Sequence, residues 1–143
     1  MKSFEVYEKY PNSKKSLVEI EKLINSIKNH IQIEETVFFS IHLCIHEIFM
    51  NAIYHGNKSD ISKFVEVYAF IEKEVLTVKI TDQGEGFDVA NISNPLEEEN
   101  RFKESGRGIF LTLHYTNSLQ YEKTNRGFCA TLTFDLASLK NTN

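Results

Sequence analysis

Apolar and charged residues alternate from Phe4 to Tyr10, which predicts a short strand. Pro11-Asn12-Ser13 breaks it, and Ser13 stands where an N-cap would. From Lys14 to about Asn29, Leu17, Ile20, Leu23, Ile24 and Ile27 recur at helical spacing with charges between them, the mark of an amphipathic surface helix. A second helix is expected from about Glu34 to Tyr54. Its apolar residues (Val37, Phe38, Ile41, Cys44, Ile45, Ile48, Phe49, Ala52, Ile53) cover a wide arc, as in a central, largely buried helix. His55-Gly56-Asn57-Lys58-Ser59-Asp60 is a turn-rich stop signal. Two strands follow, over Phe64–Ile71 and Val75–Ile80, with Glu72-Lys73-Glu74 as a hairpin loop. Residues 88–105 lack periodicity and carry Glu97-Glu98-Glu99-Asn100-Arg101, as a lid, binding loop or disordered segment would. A third helix is expected from about Gly108 to Tyr115. Closing strands follow over Ser118–Glu122 and Phe128–Phe134, with a turn over Lys123–Gly127. The succession predicts an α+β fold, a two-layer α/β sandwich with helices on one face of a mixed, mostly antiparallel sheet.

Composition narrows this picture without changing it. The 143 residues fit one domain, 1–143. Hydrophobic residues make 41% and charged residues 25%, which argues against disorder. Sixteen Lys and Arg against twenty Asp and Glu give a net charge of −4, a poor footprint for direct nucleic-acid binding. Cys44 and Cys129 both lie in apolar runs and are expected to be buried free thiols. Charges interrupt every apolar stretch near the N-terminus, and no run approaches the ~20 apolar residues of a membrane span. A soluble cytoplasmic protein without membrane contact is the expectation. Lys140-Asn141-Thr142-Asn143 is expected to be a frayed tail.

Three constellations could carry chemistry. Glu47 and Asn51 share one face of the apolar second helix, in a stripe with Ser40, Leu43 and His55. A carboxylate and an amide there need partners if buried, and their oxygens suit hard Mg²⁺. A polar helix edge near solvent would read the same way. Asp82-Gln83-Gly84-Glu85-Gly86 ends the third strand. Its aspartate can accept from an exocyclic amine, and its glycines let a planar base approach the backbone. An ordinary Gly-rich turn is the plain alternative. Ser105-Gly106-Arg107-Gly108 opens a helix whose free N–H groups could bind an anion, with Arg107 adding charge, unless it is simply a flexible helix start. It is neither a P-loop nor a dinucleotide fingerprint. His46-Glu47 begins like the zinc-protease helix, but Met50 stands where the second histidine belongs. His42 and His46 share a helix face without a third ligand at a convincing spacing. No Gly-x-Ser-x-Gly elbow exists.

In order and spacing the three constellations together resemble the GHKL ATPase superfamily. Glu47-x-x-x-Asn51-Ala52-x-x-His55-Gly56 is similar to its N-box. Asp82-x-Gly84-x-Gly86-Phe87 is similar to its G1 box, and Gly106-x-Gly108-Ile109-x-Leu111 to its G2 box. The likeness runs over roughly residues 35 to 134. Within the superfamily, Glu104-Ser105-Gly106-Arg107-Gly108-Ile109-Phe110-Leu111 is most similar to the second glycine box of bacterial anti-sigma-factor serine/threonine kinases. Length points the same way, since those kinases are single ATP-binding domains. A histidine kinase would need a phosphoacceptor helical hairpin, for which the first helix is too short and unpaired.

The resemblance implies a histidine-kinase-like ATPase fold that takes ATP and Mg²⁺. Asn51 would coordinate the metal and Glu47 would be the general base toward a serine or threonine hydroxyl. Asp82 would bind the adenine amine, and Gly84 and Gly86 would line the base. Gly106, Arg107 and Gly108 would cradle phosphate under a lid of residues 88–105. His55, Phe87, Ser105 and Ile109 complete the implied nucleotide contacts. The implied partners are a sigma factor and a STAS-type anti-anti-sigma protein that accepts the phosphoryl group, in a partner-switching circuit run by a homodimer. A non-catalytic ATP-binding module and a detached histidine-kinase catalytic domain are the alternatives. One departure stands out. Better-studied members carry a Gly-Thr pair near the start of the last strand, whereas here Gly127 is followed by Phe128. Thr131 is too far along the strand to be assumed equivalent.

Overall fold

The computed structural model describes residues 1–85 and 118–140. In chain order these form β1 (Lys2–Pro11), α1 (Lys14–Lys28), α2 (Glu35–Asn51) and a π-helical turn (Ala52–Gly56). β2 (Phe64–Glu72), β3 (Val75–Asp82), β4 (Ser118–Thr124), β5 (Gly127–Asp135) and α3 (Leu136–Lys140) complete them. The lid 88–105, the helix expected over 108–115 and residues 141–143 lie outside the described residues.

The strands form one sheet in the order β1-β2-β3-β5-β4. A mixed sheet was the expectation, but all four described pairings are antiparallel. Alternation explains the two-layer build. Val65, Val67, Ala69 and Ile71 of β2 are buried, as are Leu76, Val78 and Ile80 of β3 and Ala130, Leu132 and Phe134 of β5. They meet Ile20, Leu23, Ile24 and Ile27 of α1 and Ile41, Cys44, Ile45 and Phe49 of α2 in one core. The opposite sheet face stays half-exposed through Glu66, Tyr68, Lys79 and Thr81. Both cysteines are buried and neither is in a disulfide, as expected.

Several local expectations are corrected. The β2–β3 connection is only Lys73 and Glu74, both with positive φ (52° and 62°), while Glu72 pairs with Val75 inside the ladder. Two left-handed residues in succession match the right-handed twist of the flanking strands. Ser13 sits at the N-cap of α1 but makes no side-chain cap bond. Lys140 ends α3 rather than a frayed tail, because Leu136 and Leu139 are buried and the Leu136 N–H donates to the Glu74 carbonyl at 2.8 Å. The 22-residue run Glu35–Gly56 contains an 18-residue window of mean hydropathy 1.4, long and apolar enough to cross a membrane, against the sequence reading. Half of it is buried within the fold, where its apolar arc covers the sheet.

α2 does not continue as a regular helix to Tyr54. It widens after Asn51, where the Asn57 N–H donates five residues back to the Ala52 carbonyl at 2.8 Å. Such π-turns mark places where a helix is reshaped for a local purpose. Here it lays Gly56 against the end of β3.

Candidate functional site

Strand alternation carries Asp82 inward, directly after Ile80, so a carboxylate ends the apolar face of β3. It is only 3% exposed. Three glycines make the space it occupies. A Cβ at Gly56 would collide with Asp82 Oδ2, one at Gly84 with the Gly56 carbonyl, and one at Gly127 with the Asp82 carbonyl. Gly127 also has φ +144°, a backbone shape that side chains disfavour. The Gly84 N–H donates to Asp82 Oδ1 at 2.8 Å. Burial nevertheless outweighs that bond and the charge of Lys63, and the carboxyl is pushed up to about 6.

A buried polar network holds this strand end, and sequence reasoning missed it. Asn57 is wholly buried. Its Nδ2 donates to Asn12 Oδ1 at 3.1 Å and to the Phe64 carbonyl at 2.9 Å. Its Oδ1 accepts the Gln83 N–H at 2.7 Å. Asn12 Nδ2 donates to the Asp60 carbonyl at 3.0 Å, and the Phe64 N–H donates to Gln83 Oε1 at 2.8 Å. Asn12, Asn57 and Gln83 thus tie the end of β1, the start of β2 and the end of β3 together beside Asp82.

Across from Asp82, Asn51 ends α2. Asn51, Asp82, Tyr121 and Phe128 line one cleft with Ile48, Ala52, Ile80 and Ala130. Glu47 lies one helical turn before Asn51 and is half-buried. Burial raises its pKa and the charge of exposed His55 lowers it, with burial the larger effect. Phe128 pairs with Asp82 across β5 and β3, and its ring stacks on Tyr121 at 5.6 Å and 11°. The hydroxyl missing at position 128 is therefore replaced by an aromatic wall. The structure brings Asn51, Asp82 and Gly84 to one place, with Glu47 on the adjoining turn. Gly86, Phe87, Ser105, Gly106, Arg107, Gly108 and Ile109 lie outside the described residues.

His42 and His46 acquire a shared neighbour that the sequence did not reveal. Glu21 of α1 accepts from His42 Nε2 at 2.7 Å and lies 3.8 Å from His46 Nδ1. This clamps α1 to α2, but no group of three side chains able to hold a metal forms among the described residues. The side-chain oxygen of Asn51 is a hard donor that fits Mg²⁺, which commonly takes its remaining oxygens from water and substrate phosphates.

Residues 10–134 match the family described as the histidine kinase-like ATPase domain. The chain belongs to this family. Domains of the family bind ATP, typically with Mg²⁺. Solved structures that share the fold include two from one protein. The blue-light activated histidine kinase of Erythrobacter litoralis EL346 aligns with TM-score 0.60 and 18% identity, over 77% of this chain and 34% of that one. The histidine kinase domain from the same protein aligns with TM-score 0.60 and 19% identity, over 92% and 64%. The chain thus spans less than two thirds of either. Among curated proteins none matches. The histidine-kinase-like ATPase fold expected from the three boxes is the one observed.

Proposed function

We propose that the chain is an ATP-dependent protein serine/threonine kinase that also acts as an anti-sigma factor. The observation that carries the kinase reading is Glu47, a half-buried carboxylate of raised pKa one helical turn before Asn51, which itself lines the cleft with Asp82. Asp82 accepts from the exocyclic amine of adenine, and the Phe128–Tyr121 wall packs against the base. Asn51 supplies an oxygen to Mg²⁺, which when bound neutralises phosphate charge. Glu47 orients the acceptor hydroxyl and takes its proton. The new bond joins that oxygen to the γ-phosphorus, the β,γ-bridging O–P bond breaks, and ADP leaves. A carboxylate of raised pKa is a better base near neutrality.

The choice of a serine or threonine acceptor rests on the likeness of Glu104–Leu111 to the anti-sigma kinases. The same likeness supports a STAS-type phosphoryl acceptor, a sigma-factor partner and a cytoplasmic setting. β1 lies at one edge of the sheet. Its outer edge offers ladder groups to a second copy, which suits a homodimer.

The test is phosphotransfer from γ-labelled ATP with Mg²⁺ into a lysate of the source organism lacking this gene. Acid-stable label on a small protein is expected. Glu47→Ala should cut transfer by about 100-fold or more while nucleotide affinity stays within about threefold. Asn51→Ala should lose the Mg²⁺-dependent part of binding. Full transfer by Glu47→Ala would overturn the base assignment. Acid-labile label would indicate a phosphohistidine acceptor, and no label beside clear ATP binding would indicate a non-catalytic module.

A further inference from the structure

We infer that Glu21, His42 and His46 form a proton-operated latch between α1 and α2. It is closed while His46 is neutral and opens when both rings carry an extra proton.

The three side chains set one acid between two bases. His42 and His46 stand four residues apart on α2, with ring centroids 6.3 Å apart and planes at 21°. Glu21 reaches across from α1 to meet both. Its Oε2 accepts from His42 Nε2 at 2.7 Å, and its Oε1 lies 3.8 Å from His46 Nδ1. Phe39 stands perpendicular to the His42 ring, at 6.2 Å and 88°. The neighbouring cations of α1 turn elsewhere, since Lys22 pairs with Glu19 at 3.2 Å and Lys28 with Glu35 of α2 at 3.9 Å. The inner face of the sheet beneath the two helices is apolar. One carboxylate charge balances one imidazolium here, not two.

His46 is the ring that resists the second proton. It is partly exposed, yet its Nε2 is buried and has no hydrogen-bond partner among the described residues. In a charged imidazole both nitrogens are donors, so protonation leaves a buried N–H with nothing to accept it. Burial accordingly lowers the His46 pKa; Glu21 opposes that effect and His42 adds to it. A ring released into water returns to the ordinary value of 6.5. The open state therefore binds more protons than the closed one, and falling pH favours it. A groove of about 340 Å³ beside Glu21 and His42, lined also by Ile24, Asn25, Phe38 and Phe39, leaves both side chains room to part. The latch needs no nucleotide. It acts on the helix that carries Glu47 and Asn51, so proton uptake loosens the element on which the cleft is built.

Hydrogen exchange of the full chain at pH 7.5 and pH 5.5, corrected for the intrinsic effect of pH, reads the latch element by element. At pH 5.5, one unit below the ordinary histidine value, a proton taken up by the open state alone multiplies its population about tenfold. The amides of α1 should therefore lose about tenfold in protection relative to those of β2 and β3. His46→Gln, uncharged at either pH, should show no such loss. His42→Gln leaves Glu21 to balance His46 alone, so the loss should shrink. Unchanged α1 protection in the wild-type chain would overturn the latch. So would an equal loss in His46→Gln, which would place the proton elsewhere, or an undiminished loss in His42→Gln. A loss spread evenly over α1, β2 and β3 would also overturn it, because the proton would then act on the whole fold.

Discussion

Asp82→Asn is expected to weaken nucleotide binding by roughly 10- to 100-fold and, at the same time, to make the chain more stable above pH 6. On the proposed nucleotide reading, binding falls because the change removes a charged acceptor for the adenine amine, a contact worth about 1.5–3 kcal/mol. Stability rises because the native state holds a carboxylate where burial disfavours its charge. The carboxyl is pushed up from 3.8 to about 6. The folded chain therefore binds more protons than the unfolded chain between those values, and stability falls as pH rises through that window. Below pH 3.8 the group is protonated in both states, and the penalty vanishes. Above 6 it is complete. At about 1.36 kcal/mol per pKa unit, and allowing for a weaker bond from the Gly84 N–H to an amide oxygen, the gain at pH 8 is about 2 kcal/mol. Urea denaturation of both proteins at pH 4 and pH 8 measures it. Equal midpoints at pH 8 would show that Asp82 carries no burial penalty. A gain that persists at pH 4 would show that the stabilisation is not ionic. A gain at pH 8 that vanishes at pH 4 is the expected result, and it would mean that the apo protein sacrifices stability for a binding group, a common trade at functional sites.

Much of this site was legible because two simple periods place it. The helical repeat puts Glu47 and Asn51 on one face of α2, and the strand repeat turns Asp82 inward after Leu76, Val78 and Ile80. The same repeats located β2, β3 and β5, whose inner faces are apolar. What they miss depends on contacts between distant segments. Asn12 follows a proline and Asn57 lies in a run of turn residues, so each looks like local turn chemistry. Their actual partners are one another and strand ends far along the chain. Gly56 looks like a helix stop, but its missing Cβ serves Asp82. β4 has a weak pattern of its own, so the inward facing of Tyr121 emerges only from its register with Ala130. The π-turn has no periodic signal. It is recognisable only through the bond that closes it.

The largest stability loss is expected from Asn57→Ala, at about 3–4 kcal/mol. Asn57 is wholly buried and makes three side-chain bonds, two as donor and one as acceptor. Alanine leaves the Gln83 N–H without its bond and strands an acceptor on Asn12 and another on the Phe64 carbonyl. A buried group left unsatisfied costs about 1–3 kcal/mol, and some of that is relieved by water or small shifts. Against a typical total of about 5–15 kcal/mol, the loss is large. Its consequence reaches the site, because the Gln83 peptide held by Asn57 is the one that follows Asp82. Nucleotide affinity should therefore fall in the Asn57→Ala chain even under conditions where it remains folded. Asn57→Asp separates the two kinds of bond. Its carboxylate still accepts from Gln83 but cannot donate, and its charge would face two oxygens. At pH 8 it should be at least as damaging as alanine. It should recover as pH falls and the acid regains a proton to donate. Urea midpoints for both variants at pH 5 and pH 8 decide the matter. A loss below about 1 kcal/mol in Asn57→Ala would mean that the network does not hold the strand ends together. Recovery of Asn57→Asp at low pH, with none in Asn57→Ala, would identify the donated bonds as the part that matters.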